Sequence, residues 1–213
     1  MRKTSEEPKA ASDMETLKPL PEVLQPDPRN SVFVRLDTLE PLTIDEHHAE
    51  ISAVVLHTQV PEDVRSYFAT IQNVCLYAWF AYDMYTVVDF LCLTAVEMAL
   101  RERLPYSGTG ADKRGLQNLL DQAVNKKLVR EKAFSHVRIM RQNLARYIRF
   151  RRATGSKLPR SAMPKTNYAA VLRGTIPWLR NHYAHPRRHT ILFPGEALSQ
   201  LQLTSEFINS LFA

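Results

Sequence analysis

VCLYAWFAYDMYTVVDFLCLTAVEMAL, residues 74–100, is the stretch on which the fold turns. It is long and apolar enough to raise the question of a membrane span. Asp83, Asp89 and Glu97 interrupt it, and each carboxylate is costly at the centre of a bilayer. A helix that is apolar nearly all round and carries recurrent acidic residues reads instead as the buried central helix of a globular protein. The segment N-terminal to it supports that reading. Pro61 followed by Glu62 and Asp63 makes a good first helical turn, and Val64, Phe68, Ile71, Cys75 and Ala78 follow at helical spacing. The pattern predicts helix from Pro61 to Leu104, straight or broken, stopped by Pro105 and the SGTG turn.

Working outward, the pattern stays helical. Thr43, with Asp45 and Glu46 behind it, is a plausible N-cap for a helix ending before Pro61. GLQNLLDQAVNKKLV (115–129) carries one apolar face. FSHVRIMRQNLARYIRFRRA (134–153) repeats Val137, Met140, Leu144, Tyr147 and Ile148 in period. TNYAAVLRGTIPWLRNHYAH (166–185) is a helix interrupted by Pro177, and a last helix runs from about Pro194. Loops are expected near 105–115, 153–165 and 186–195. No internal repeat or hairpin signal is present. The chain is therefore read as all-α, a bundle of about six helices over 43–213. Residues 1–42, punctuated by six prolines, form a Pro-rich N-terminal arm, extended or disordered in part, with SVFVRL (31–36) as a short extended segment.

Composition narrows the function. The chain has 213 residues, enough for one domain with a real core. Glycine is scarce, at 6, and no GxGxxG or P-loop pattern occurs, which argues against a nucleotide-binding α/β sheet. Cys75 and Cys92 sit in apolar runs and read as small core residues of a reducing compartment. No CxxC or Cys/His cluster points to a metal, and no cofactor is expected. MRKTSEEPKAAS lacks the apolar core of a secretion signal, so a cytoplasmic protein without a membrane segment is expected. A formal charge of +6 suits either a polyanionic partner such as RNA or an ordinary basic surface. Arg146, Arg149, Arg151, Arg152, Lys157, Arg160 and Lys165 concentrate on one helix end and the loop after it. They are candidates to track RNA phosphates, or else a solvated cationic face.

The functional candidate is LRNHYAHP, residues 179–186. Arg180 and His185 are separated by four residues, Asn181 follows the arginine, and Pro186 follows the histidine. Proline pushes the preceding residue out of helical geometry, so the helix should end near His185. Positions five apart on a continuous helix point about 140° apart. A helix that stops at His185 would let the imidazole swing back towards Arg180. Histidine exchanges a proton near neutral pH, arginine offers a planar fork to phosphate oxygens, and asparagine can orient either partner. The three can support attack of an RNA 2′-hydroxyl on its own phosphate without a metal. Arg and His near a helix C-terminus are also favoured by the helix dipole alone. Arg130 and His136 repeat the pairing without the asparagine.

LRNHYAHP resembles the signature of the HEPN superfamily, the higher eukaryotes and prokaryotes nucleotide-binding domains. That signature is an Arg, four to six residues and a His, with a polar residue after the Arg. Its frequent RN-x-x-AH form is matched by Arg180, Asn181, Ala184 and His185. TAVEMALRERL (94–104) is similar to an earlier helix of the family carrying a Glu and, four residues on, a basic residue, here Glu97 and Arg101. Read from the residues alone, that pair is an ordinary ion pair worth about 0.2–0.5 kcal/mol. The resemblance implies an all-α fold and a metal-independent endoribonuclease with Arg180, Asn181 and His185 catalytic and Glu97 and Arg101 auxiliary. It implies a homodimer in which two motifs share a cleft, and a setting in toxin–antitoxin or other defence systems, with an antitoxin as partner. The family also holds inactive members that bind a nucleotide, RNA or a protein, and that alternative stays open, beside a helical protein with no phosphate chemistry.

Overall fold

A computed structural model of the chain describes residues 17–35, 38–106, 108, 112–155, 168–185 and 191–213. Among these residues there are seven α-helices: α1 Ile44–Ser52, α2 Glu62–Tyr77, α3 Met84–Arg103, α4 Leu116–Asn125, α5 Ser135–Ala153, α6 Tyr168–Ala184 and α7 Pro194–Leu211. The sole strand-like pairing among them is an isolated bridge between Val34 and Pro41. The all-α class is therefore shown, and none of these helices is long and apolar enough to cross a membrane.

The long apolar stretch is two helices rather than one. Residues 78–83 form turns between α2 and α3, which raises the helix count from six to seven. A broken helix leaves carbonyls without partners. The Pro-rich segment supplies them: the Asn30 side-chain amide and the Asp27 backbone N–H both donate to the carbonyl oxygen of Trp79, at 2.7 and 3.0 Å. Arg29 bridges Asp27 and Asp83 and lies over the Tyr82 ring. Asp27 and Asn30 are buried.

α3 is the central helix. It packs chiefly against α2 and α7, and also against α4 and α6. That position explains its nearly all-round apolarity. Tyr85, Val88, Cys92, Leu93, Val96, Ala99 and Leu100 are all buried, each large side chain stabilising the fold by about 1.5–3 kcal/mol. Cys75 and Cys92 are buried and unpaired in a disulfide, as their apolar setting predicts. Burial pushes the Cys75 thiol up to about 12.

The caps follow the sequence closely. Thr43 and Glu46 form a reciprocal capping box at α1. Phe193 precedes α7, its N–H bonded to Glu196 at 3.0 Å. Two expectations need correction. α1 ends at Ser52, leaving 53–60 non-helical. α5 was expected to bury a stripe, yet of its 19 residues only Val137 is buried, with Met140, Tyr147 and Phe150 exposed. The cause lies in composition. Six of the sixteen residues beyond Val137 are arginine, which leaves an apolar stripe too narrow to hold the helix against the core.

A candidate phosphate-binding cleft beside the motif helix

α6 carries the motif and is held against α3 at two levels. Deeper in the fold, the Tyr183 hydroxyl donates to Asp89 Oδ2 at 2.9 Å. Burial pushes the Asp89 carboxyl up to about 6, and its Oδ1 is buried without a partner. Tyr183 is pushed up as well, first by burial and then by the Asp89 charge. Nearer the surface, Glu97 Oε2 lies 3.9 Å from the Nε of Arg180, while its Oε1 pairs with Arg101 at 2.7 Å.

Pro177 does not interrupt α6, as the sequence suggested it would; the helix runs unbroken from Tyr168 to Ala184. It removes one backbone donor and leaves the helix in place because packing of Leu172 and Ile176 on the core outweighs that loss.

Pro177, Arg180 and Asn181 line a cleft of about 270 Å³ together with Glu97, Gly115, Leu116 and Gln117. The last three residues are the N-terminus of α4, where no side chain caps the free amides. Uncapped amides, a guanidinium and a carboxamide converging on one small cleft suit an oxyanion. Glu97 steadies the guanidinium and also lowers the positive field of the cleft.

Arg101 is occupied. Besides Glu97 it bonds Asp112 and the carbonyl oxygen of Arg114, so it ties these two residues to α3. Hydrogen bonds from Arg114, set against burial, hold the Asp112 carboxyl well below its ordinary value. The sequence reading of Glu97 and Arg101 as an i,i+4 ion pair matches what is seen, with Glu97 reaching on to Arg180 as well.

His185 does not line this cleft. The helix ends at Ala184, where Pro186 predicts, yet the His185 N–H still donates to the Asn181 carbonyl at 3.0 Å. The helical course is kept through His185, and its side chain is exposed, outside the lining of the Arg180 cleft. The structure thus joins Arg180, Asn181 and Glu97, with Arg101 beside them; His185 does not line that cleft, although it stands one helical turn beyond Asn181. Arg149, Arg151 and Arg152 sit at the C-terminal end of α5. Lys157, Arg160 and Lys165 lie outside the described residues. Among the described residues no cluster could hold a metal ion.

Sequence reasoning missed Asp89 and Tyr183 as a pair, the α4 amides, and Trp178 with His182. It also missed a signal in plain view. None of the 22 acidic residues falls between Lys132 and Gly195, while 14 of the 28 lysines and arginines do. Segregation of this kind says more about a polyanionic partner than the net +6.

Comparison with known proteins adds no relative: no family model, curated protein or solved structure matches the chain.

Proposed function

We propose that the protein is a HEPN-like, metal-independent endoribonuclease. One observation carries the reading. The two stretches that resemble the family, TAVEMALRERL and LRNHYAHP, lie far apart in sequence, yet Glu97 of one faces Arg180 of the other across a single cleft. In this reading Arg180, Asn181 and the α4 amides bind a phosphate of the RNA. The adjacent 2′-hydroxyl attacks that phosphate, a P–O bond to the next nucleoside breaks, and His185 moves the proton between nucleophile and leaving group. The products end in 2′,3′-cyclic phosphate and 5′-hydroxyl. The reading includes a homodimer acting in the cytoplasm, within a defence or toxin–antitoxin setting with an antitoxin partner.

A second reading has its own support. His185 lies outside the Arg180 cleft, which favours a HEPN-like module that holds RNA or a nucleotide by its phosphate without cleaving it. Incubating the purified protein with RNA in EDTA separates the two. Cleavage to the stated ends, lowered about 10²- to 10⁴-fold by His185→Ala with binding kept, is the outcome of the first reading. Binding with no cleavage, or cleavage indifferent to His185→Ala, leaves the second.

A further inference from the structure

The outward face of α6 has an unexpected composition. Trp178, Asn181, His182 and His185 stand at i, i+3, i+4 and i+7, so they share one side of the helix. Trp178 is 63% exposed, although indole is among the costliest side chains to leave in water. The His182 ring stacks on it, with centroids 5.3 Å apart and planes 12° from parallel. Two flat rings held parallel on a rigid helix form a surface of fixed orientation. No carboxylate borders it in sequence: α6 contains no Asp or Glu and sits within the acid-free stretch 132–195. Asn181, one wall of the cleft, lies between this face and Arg180 around the helix, Arg180 itself pointing about 160° away from Trp178.

We propose that Trp178 and His182 form a stacking platform for an unpaired base of single-stranded RNA whose backbone runs on past Asn181 into the Arg180 cleft. The inference rests on the RNA reading and not on cleavage. A base offers a flat face to a ring, and stacking tolerates every base, so the platform confers a preference for unpaired strand and none for sequence. The acid-free stretch around the platform favours a polyanion, although Glu97 and Asp121 reach α6 from neighbouring helices at Arg180 and Arg173. Duplex RNA keeps its bases stacked inside and cannot use the rings.

The test uses the full chain and a 2′-O-methyl oligoribonucleotide of about 12 nucleotides, within the span of known single-strand sites. Lacking a free 2′-hydroxyl, it cannot be cleaved by the proposed route, so failure of the nuclease reading leaves this measurement intact. Its duplex and heparin, a polyanion without bases, are the comparators. The single strand should quench the emission of exposed Trp178, the other tryptophan, Trp79, being buried. Trp178→Ala should weaken single-strand binding about 5- to 150-fold, the weight of one stacked base. Trp178→Phe should stay within a few-fold of wild type, and His182→Ala should cost less than Trp178→Ala. Duplex and heparin binding should barely change. The proposal is overturned if the single strand does not bind, if it binds Trp178→Ala as it binds wild type, or if heparin quenches equally. It is also overturned if Trp178→Ala dissociates a dimer and weakens all three ligands alike, since the face is then a subunit interface.

Discussion

Replacing Asp89 by Asn tests how the motif helix is fastened to the core. The folded protein holds the Asp89 proton to about pH 6, against an ordinary value of 3.8, because burial penalises the charged form and Glu196 adds to that penalty. A folded-state pKa above the unfolded one means that this group's stabilising contribution is complete below about pH 3.8 and is lost as the pH rises through about 6. The whole difference is worth about 3 kcal/mol. Between about pH 8 and pH 5 roughly 1.4 kcal/mol of it is recovered. Asp89→Asn keeps an acceptor for the Tyr183 hydroxyl and removes the charge. It should therefore stabilise the protein at about pH 8, by up to about 3 kcal/mol less about 1 kcal/mol for an amide group without a partner. That advantage should shrink by about 1.4 kcal/mol on going to pH 5. Urea midpoints followed by circular dichroism across this range measure it. His47 titrates with the opposite sign, because burial lowers its pKa and stability falls as the unfolded imidazole takes up its proton. It is common to both proteins, so the difference between the two profiles isolates Asp89. Parallel profiles would refute the reasoning.

Two other expectations concern the cleft and the charge. Arg180→Ala should lower RNA affinity and, if cleavage occurs, its rate by about 10²- to 10³-fold, as for a lost transition-state donor. Arg180→Lys should not restore either, since a point charge lacks the planar fork, and Asn181→Ala should cost less; filter binding and single-turnover rates read all three. Replacing Arg149, Arg151 and Arg152 together by Ala should flatten the plot of log affinity for single-stranded RNA against log salt by about 2, if all three meet phosphates. An unchanged slope would show that the end of α5 takes no part.

The fold was legible where one signal acted alone. Thr43 with Glu46, Pro61 with two acids behind it, and Pro194 each mark a helix start, and each helix begins within a residue of that mark. The Leu116, Leu119, Leu120 and Ala123 face is buried as its period requires. Misreadings arose where two effects compete. The sequence left the stretch from Pro61 to Leu104 straight or broken, and an apolar run does not place the break at 78–83, because its carbonyls are satisfied from residues about fifty positions earlier. Pro177 reads as a breaker, and tertiary packing overrides it. For the site, spacing placed Arg180 and Asn181 on a helix end but gave no view of what lies across from them. Glu97 was named on resemblance, while the amides of α4 carry no side-chain signature at all. Asp89 looked like one of three interruptions that argue against a membrane, and its bond to Tyr183 depends on helix packing that no local pattern records.

The clasp formed by Asp27 and Asn30 on Trp79 bears on how the chain is born. The segment that closes the gap between α2 and α3 leaves the ribosome before its partner and must wait until residue 79 follows. Asn30 has nothing to hold until Trp79 appears, and it is already in place when the gap between the two helices is made. The final geometry is thus set by the fit of Trp79 to a segment made about fifty residues before it. Composition draws a line at Thr43, but the cooperative unit crosses it, and a fragment starting at that line would begin life with its central joint unlatched.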